Sequence, residues 1–220
     1  MSAEERSPAR ARAMWSLPSE VEGDWARRRK LAAAVRELVE HTARVHGGDL
    51  DAAEAHVRAA IDALPLGRTA AEAFRAGDFL ADSRPWIDRT AVMGHTNPQA
   101  PPLVLTHDDR SSTGTVVLGE RFVGAPGLVH GGVIAAIFDQ VCGTCAVMAD
   151  LPGLTVELNV RYLKPAHVHT ALTFTATITS HTGRRVLVDG TCVEGDETVA
   201  TCRATFVTLQ GDRSDLFSGS

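Results

Sequence analysis

Residues 131–149 contain a single charged side chain, Asp139, in an otherwise apolar or small-residue run that begins Gly131-Gly132-Val133-Ile134. A run this long and apolar reads as one helix buried on most of its sides, so the rest of the chain must supply what covers it. An unpaired carboxylate is costly in such surroundings, so Asp139 needs a reason to be there. Its helix neighbours at three- and four-residue spacing are all small: Gly132, Ala135 and Ala136 before it, Cys142, Gly143 and Ala146 after it. These fall on one face. That face has room for a close partner or for a ligand beside the carboxylate.

The start of the helix carries a second signal. Pro126-Gly127-Leu128-Val129 leads in as a loop, and His130 stands at the cap position. Gly131 and Gly132 follow with N–H groups that no side chain obstructs. Unpaired N–H groups at a helix start hold anions and developing oxyanions. A carbonyl oxygen at Gly131 and Gly132 and a base at Asp139 therefore form a candidate pair. His130 and Asp139 are nine residues apart, or roughly 13 Å along a helix, and lie on opposite sides of it. If both serve one site, a second copy must supply the carboxylate, with two such helices antiparallel across a two-fold axis.

The chain has 220 residues, 44% of them hydrophobic, and a formal net charge of −5. That suits one moderate domain plus an extension. The acidic balance and the lack of a basic stripe disfavour nucleic acid as a partner. The run around Asp139 is the one candidate membrane span; its glycines, its carboxylate and the strands that follow favour a buried core helix. Four cysteines suit a reducing compartment, hence a cytoplasmic location, and their spacing does not provide a zinc site. Cys142 and Cys145 lie one helix turn apart, and Cys192 and Cys202 fall on the inward phase of two strands, so all four read as core.

Along the chain, residues 1–20 read as a mobile arm, with Met14 and Trp15 as its large apolar anchors. Residues 21–100 read as a helical extension and a covering loop. Asp24 is expected to cap a helix through about Val45 with Leu31, Val35, Leu38, Thr42 and Val45 on one face, and Asp51-x-x-Glu54 to form a capping box for a second helix with Val57, Ile61 and Leu64 inside. Val45-His46-Gly47-Gly48 repeats the His-Gly-Gly triplet but ends a helix, so His46 is a loop residue. The stretch from Pro65 to Pro102 carries Phe74, Phe79, Trp86, Ile87 and Met93 among breakers and is expected to cover part of the domain. Residues 101–209 read as two strands, the long helix and four antiparallel strands, an α+β plan. Val156, Leu158, Val160 and Tyr162 are expected to share the inner face of the third strand. Residues 210–220 are a polar tail.

The element order, the run Phe122-Val123-Gly124-Ala125-Pro126-Gly127-Leu128-Val129-His130-Gly131-Gly132 with Asp139 nine residues after His130, and Thr155-Val156-Glu157-Leu158-Asn159-Val160-Arg161-Tyr162-Leu163-Lys164-Pro165 resemble the hotdog-fold acyl-CoA thioesterases of the PaaI-like group. The resemblance covers about 101–209. It implies a six-stranded antiparallel sheet wrapped around one long helix, a homodimer or dimer of dimers, and hydrolysis of acyl-coenzyme A without a metal or a cofactor beyond the substrate's own coenzyme A. It implies that Gly131, with Gly132 beside it, polarises the thioester carbonyl. It also implies that Asp139 of the partner chain activates water or attacks directly, and that Thr155 holds the water. His130 is expected to cap the helix and act indirectly. Lys164, Arg184 and Arg185 are candidates for the coenzyme A phosphates. Some members carry Asn six residues before the histidine; here that position is Gly124. Two other readings stand beside hydrolysis: a hotdog hydratase or dehydratase on acyl thioesters, and a non-catalytic acyl-thioester binding module.

Overall fold

The computed structural model describes residues 17, 20–78, 82 and 84–208. The expected arm, with Met14 and Trp15, and the expected tail lie outside these residues, apart from Leu17 and Glu20; Phe79 and the side chain of Phe74 lie outside them as well.

The apolar run forms helix α5, Gly131–Met148, preceded in chain order by α1 (Gly23–Thr42), α2 (Leu50–Asp62), α3 (Ala70–Arg75) and α4 (Arg84–Ile87). Six strands make one antiparallel sheet: β1 (Val104–His107), β2 (Ser111–Val117), β3 (Gly153–Tyr162), β4 (Ala171–Thr182), β5 (Arg185–Glu194) and β6 (Glu197–Thr208), ordered β1-β2-β4-β5-β6-β3. The sheet curls around α5, which is the hotdog fold expected from the sequence. Alternation along β4 decides its inner face: Leu172, Phe174, Ala176 and Ile178 are buried, while the threonines between them are not. Ile134, Ile137, Phe138, Val141, Cys142 and Cys145 of α5 complete that core. Phe138 meets Phe174 edge to face, with ring centroids 5.1 Å apart. Gly190 of β5 lies under the same ring, where a Cβ would come within 3.1 Å of Phe138 Cδ1. The sheet therefore approaches the helix most closely where it carries no side chain.

The four cysteines are buried core residues. Burial pushes the Cys192 thiol up to about 12 and raises Cys145. Cys142 is raised chiefly by its hydrogen bond with Cys202, with burial adding to it. Among the described residues, no group of three or more His, Cys, Asp or Glu side chains is placed to hold a metal. Helix α5 is long and apolar enough to span a membrane by composition, yet its apolar residues form the centre of this core.

The extension departs from its expected packing. Helix α1 starts at Gly23, one residue before Asp24, and Asp24 lies in its first turn rather than at its cap. It ends at Thr42, short of Val45. Its expected apolar face is outward: Leu31, Leu38 and Val45 are exposed. The helix docks instead through a polar stripe at three- and four-residue spacing. Trp25 Nε1 donates to Asp88 Oδ2 at 2.6 Å and Arg29 Nε to the same oxygen at 2.9 Å. Arg36 Nη2 donates to the His95 and Asn97 carbonyls, and Glu40 Oε1 accepts the Glu120 N–H. Hydrogen-bonding demand outweighed the apolar pattern because loop 88–97 offers a buried carboxylate and several carbonyls that need partners. Helix α2 is capped by Asp49, whose side chain accepts the Ala52 N–H, and not by Asp51; Glu54 reaches forward to Arg58. Val57, Ile61 and Leu64, expected inside, are exposed. In the covering loop, Ile87 and Met93 are buried, as their apolarity requires.

Asp88 is fully buried and gathers Trp25, Arg29 and the His95 N–H. Asp88→Ala removes the buried acceptor that the Trp25 and His95 N–H groups and Arg29 share. The expected loss is about 1–3 kcal/mol in urea denaturation, the cost of leaving buried donors without their acceptor. Limited proteolysis should show α1 released first.

Candidate functional site

The approach to α5 is fixed before the helix begins. Ala125-Pro126-Gly127-Leu128 makes a turn closed by Leu128 N–H to the Ala125 carbonyl, with Gly127 at φ +75°, which is the Pro-then-Gly pattern of a type II turn. His130 N–H donates to the Phe122 carbonyl and Val129 N–H to that of Ala166. His130 thus arrives at the cap position with its ring turned back. Its Nδ1 accepts the Gly132 N–H at 2.9 Å, and its carbonyl accepts from Val133.

This changes the count of available donors. The sequence left both glycine N–H groups open; the structure engages Gly132 in the cap. The Gly131 N–H, at the first helical position, has no intrahelical acceptor and is the donor that remains. Gly131 lines a cleft of about 320 Å³ with Leu128, Ile134, Tyr162, Lys164 and Pro165.

Asp139 lies two and a half turns on. It is half-buried on the strip of α5 that the sheet leaves open, together with the exposed Gly132 and Ala136 and the half-buried Gly143. Its Oδ1 accepts the Thr155 hydroxyl at 2.8 Å. That contact depends on an irregularity in β3. Thr155 pairs with Phe206, but Glu157 pairs with Thr205, so Val156 is an extra residue in the ladder. A bulge of this kind reverses the phase of the strand. Leu158, Val160 and Tyr162 lie opposite Ala204, Cys202 and Ala200 on the helix-facing side, and Thr155, opposite Phe206, lies on that side too. The expected inner set was therefore wrong by one member. Val156 is exposed, and Thr155 takes the inward direction.

The candidates for phosphate contact do not gather in one chain. Lys164 lies at the cleft, in an ion pair with Glu197. Arg185 pairs with Val207 at the other end of the same sheet, whereas Glu197 sits opposite Glu194. The separation is about 30 Å at the rise of an extended strand. Arg184 donates to the Thr208 carbonyl at that far end. His46 lies in the loop between α1 and α2, remote in sequence from any of these groups.

One site residue escaped the sequence reading. Tyr162 donates its hydroxyl to the Gly131 carbonyl at 2.7 Å. A tyrosine at the end of an alternating strand gave no sign of it beyond its position.

Residues 126–201 match the family described as the thioesterase superfamily. The chain is 33% identical over 94 residues to the acyl-coenzyme A thioesterase THEM4 of Mus musculus, covering 43% of this chain and 40% of that one. With THEM4 of Rattus norvegicus it is 33% identical over 97 residues, covering 43% and 42%. The chain thus spans less than half the length of these curated relatives. A solved structure of protein RHA08564, a thioesterase superfamily protein, superposes with a TM-score of 0.71 at 25% identity, over 87% of this chain and 93% of that one. So large a cover takes in much of the N-terminal extension as well as the sheet.

The Gly124 departure has a steric cause. A Cβ there would stand 2.8 Å from His130 Cα, a backbone atom that cannot swing aside. Gly124→Asn is therefore expected to destabilise the fold by about 1–3 kcal/mol. Gly124→Ala should already show most of that loss in urea denaturation.

Proposed function

We propose, from the match of residues 126–201 to the thioesterase superfamily, that the chain hydrolyses acyl-coenzyme A thioesters to the free acid and coenzyme A, as a homodimer whose two sites each draw on both chains. The observation that carries the reading is the position of two groups on α5. Its one remaining N–H, at Gly131, opens on the cleft, and its one carboxylate, at Asp139, lies on the uncovered strip with Thr155 bonded to it.

The chemistry follows from these groups. The thioester carbonyl oxygen accepts from the Gly131 N–H, whose partial positive charge is reinforced at a helix start. Water attacks the carbonyl carbon and gives a proton to Asp139. Thr155 donates to Asp139 and keeps lone pairs with which to hold that water. The C–S bond then breaks, the thiolate leaves and takes up the proton. Direct attack by Asp139, through an anhydride that water opens, uses the same placement.

Strand β3 supports the two-copy reading. It is an edge strand, bonded only to β6, and it exposes Leu154, Val156 and Tyr162. The Gly131 group sits at its Tyr162 end and the Asp139 group at its Thr155 end. Antiparallel pairing of β3 with a second β3 brings unlike ends together and covers an edge that would otherwise invite wrong partners. The same pairing sets the partner's Arg184 and Arg185 at the end where Lys164 lies, which suits recognition of phosphates.

Free thiol release from a panel of acyl-CoAs tests the reaction, and unchanged enoyl-CoA absorbance separates it from hydration. Asp139→Ala should lower kcat by about 10²–10⁴ with a much smaller change in KM. The shared site has its own test. Co-expressing Asp139→Ala with Gly131→Val should restore about a quarter of wild-type activity, because half the dimers are mixed and each has one intact site. Sites confined to single chains would stay inactive in that mixture.

A further inference from the structure

We propose that Tyr162 is a positioning residue for the Gly131 oxyanion donor, acting through a hydrogen-bond relay that runs across one peptide group to the ring of His130. Its kinetic part rests on the hydrolytic reading above; its structural part does not.

Tyr162 closes β3 opposite Ala200, and the next two residues are fixed by Leu163 and Lys164 N–H groups on the Val199 carbonyl. Its ring is therefore placed by the sheet and not by the helix it touches. The hydroxyl donates to the Gly131 carbonyl at 2.7 Å. A Gly131 Cβ would stand 3.3 Å from the ring's Cζ, so the ring lies across Gly131 itself. The carbonyl of Gly131 and the N–H of Gly132 are two ends of a single planar peptide unit. That N–H donates to His130 Nδ1 at 2.9 Å. Hydroxyl, peptide and imidazole thus stand in series, and each bond polarises the next.

Two consequences follow. A backbone N–H can only donate, so Nδ1 of His130 is the bare nitrogen, and the neutral ring carries its proton on Nε2. The relay also restrains Gly131, which has the greatest backbone freedom of any residue type and stands in a helix's first turn, where ends fray. An oxyanion donor is effective to the extent that it is held in place before charge develops. Tyr162 holds the carbonyl side of Gly131 and the His130 cap holds the following N–H. The N–H left over is aimed as a result.

The test compares the full-length chain with Tyr162→Phe, which keeps the ring and removes the hydroxyl. Tyr162 is 51% exposed, so the loss of one oxygen leaves the fold intact. Three quantities are read: kcat and KM for thiol release from acyl-CoA, the Gly131 and Gly132 amide shifts in ¹H–¹⁵N spectra, and the two ring ¹⁵N shifts of His130. The expected result is a fall in kcat of about 3–10-fold, the worth of one neutral hydrogen bond, with KM within about twofold. The Gly132 amide proton should move upfield, and the His130 nitrogens should move from a pure Nε2–H pattern towards a mixture. An unchanged kcat with a raised KM would make Tyr162 a wall of the cleft and overturn the proposal. So would Gly132 and His130 signals that stay where they were. If the wild-type chain releases no thiol from any acyl-CoA, the hydrolytic reading fails, and the shifts alone decide the relay.

Discussion

A helix that is apolar on nearly every side has to be covered on nearly every side, and one sheet curled around it cannot do that alone. The sheet covers Ile134, Ile137, Phe138, Val141, Cys142, Cys145 and Ala146 and leaves a strip open. The strip it leaves carries glycine and alanine, which lose little by staying open, and one carboxylate, which gains by it. The same constraint explains Gly190. Contact between sheet and helix is so close at Phe138 that a methyl group on the sheet would press against the ring. Core packing and the position of the open face that carries Asp139 are thus one arrangement seen from two sides.

Helix α1 obeys a different constraint. It is attached through hydrogen bonds to a buried aspartate, loop carbonyls and two turn amides, while its large aliphatic groups point away. Such bonds fix position closely and contribute modest net stability unless one partner is removed. Helix α1 is therefore oriented by Asp88 and Glu40. Glu40 ties it to the 120–121 turn, two residues before the loop that delivers His130. The helix start and the N-terminal segment consequently share a mechanical connection.

Much of this was legible in the sequence because it rests on local rules. The apolar run gave the central helix to within a residue. Alternation gave the strands, and the Pro126-Gly127 pair gave the turn into the helix. The histidine cap and the isolation of Asp139 were visible in the same way. What could not be read depended on distant partners. The polar stripe of α1 has no meaning until Asp88 and the carbonyls of 94–97 are in place. Asp49 and Asp51 compete for one cap, and loop geometry decides between them. The commitment of Gly132 to His130 is a matter of ring orientation. Tyr162 and Gly131 are 31 positions apart and meet only through the sheet.

Thr155 and Tyr162 stand seven positions apart, an odd separation, yet both face the helix, because Val156 adds one uncounted step to the ladder. The strand therefore carries a parity. Side chains between the two ends can be exchanged widely without disturbing which way either end points. A single added or missing residue anywhere between them turns one of them outward. Across relatives, variation in this stretch should thus be rich in substitutions and intolerant of unit changes in length. An insertion should survive only with a compensating deletion before the next end is reached. The spacing from Thr155 to Tyr162 is in this sense as much a part of the site as either side chain.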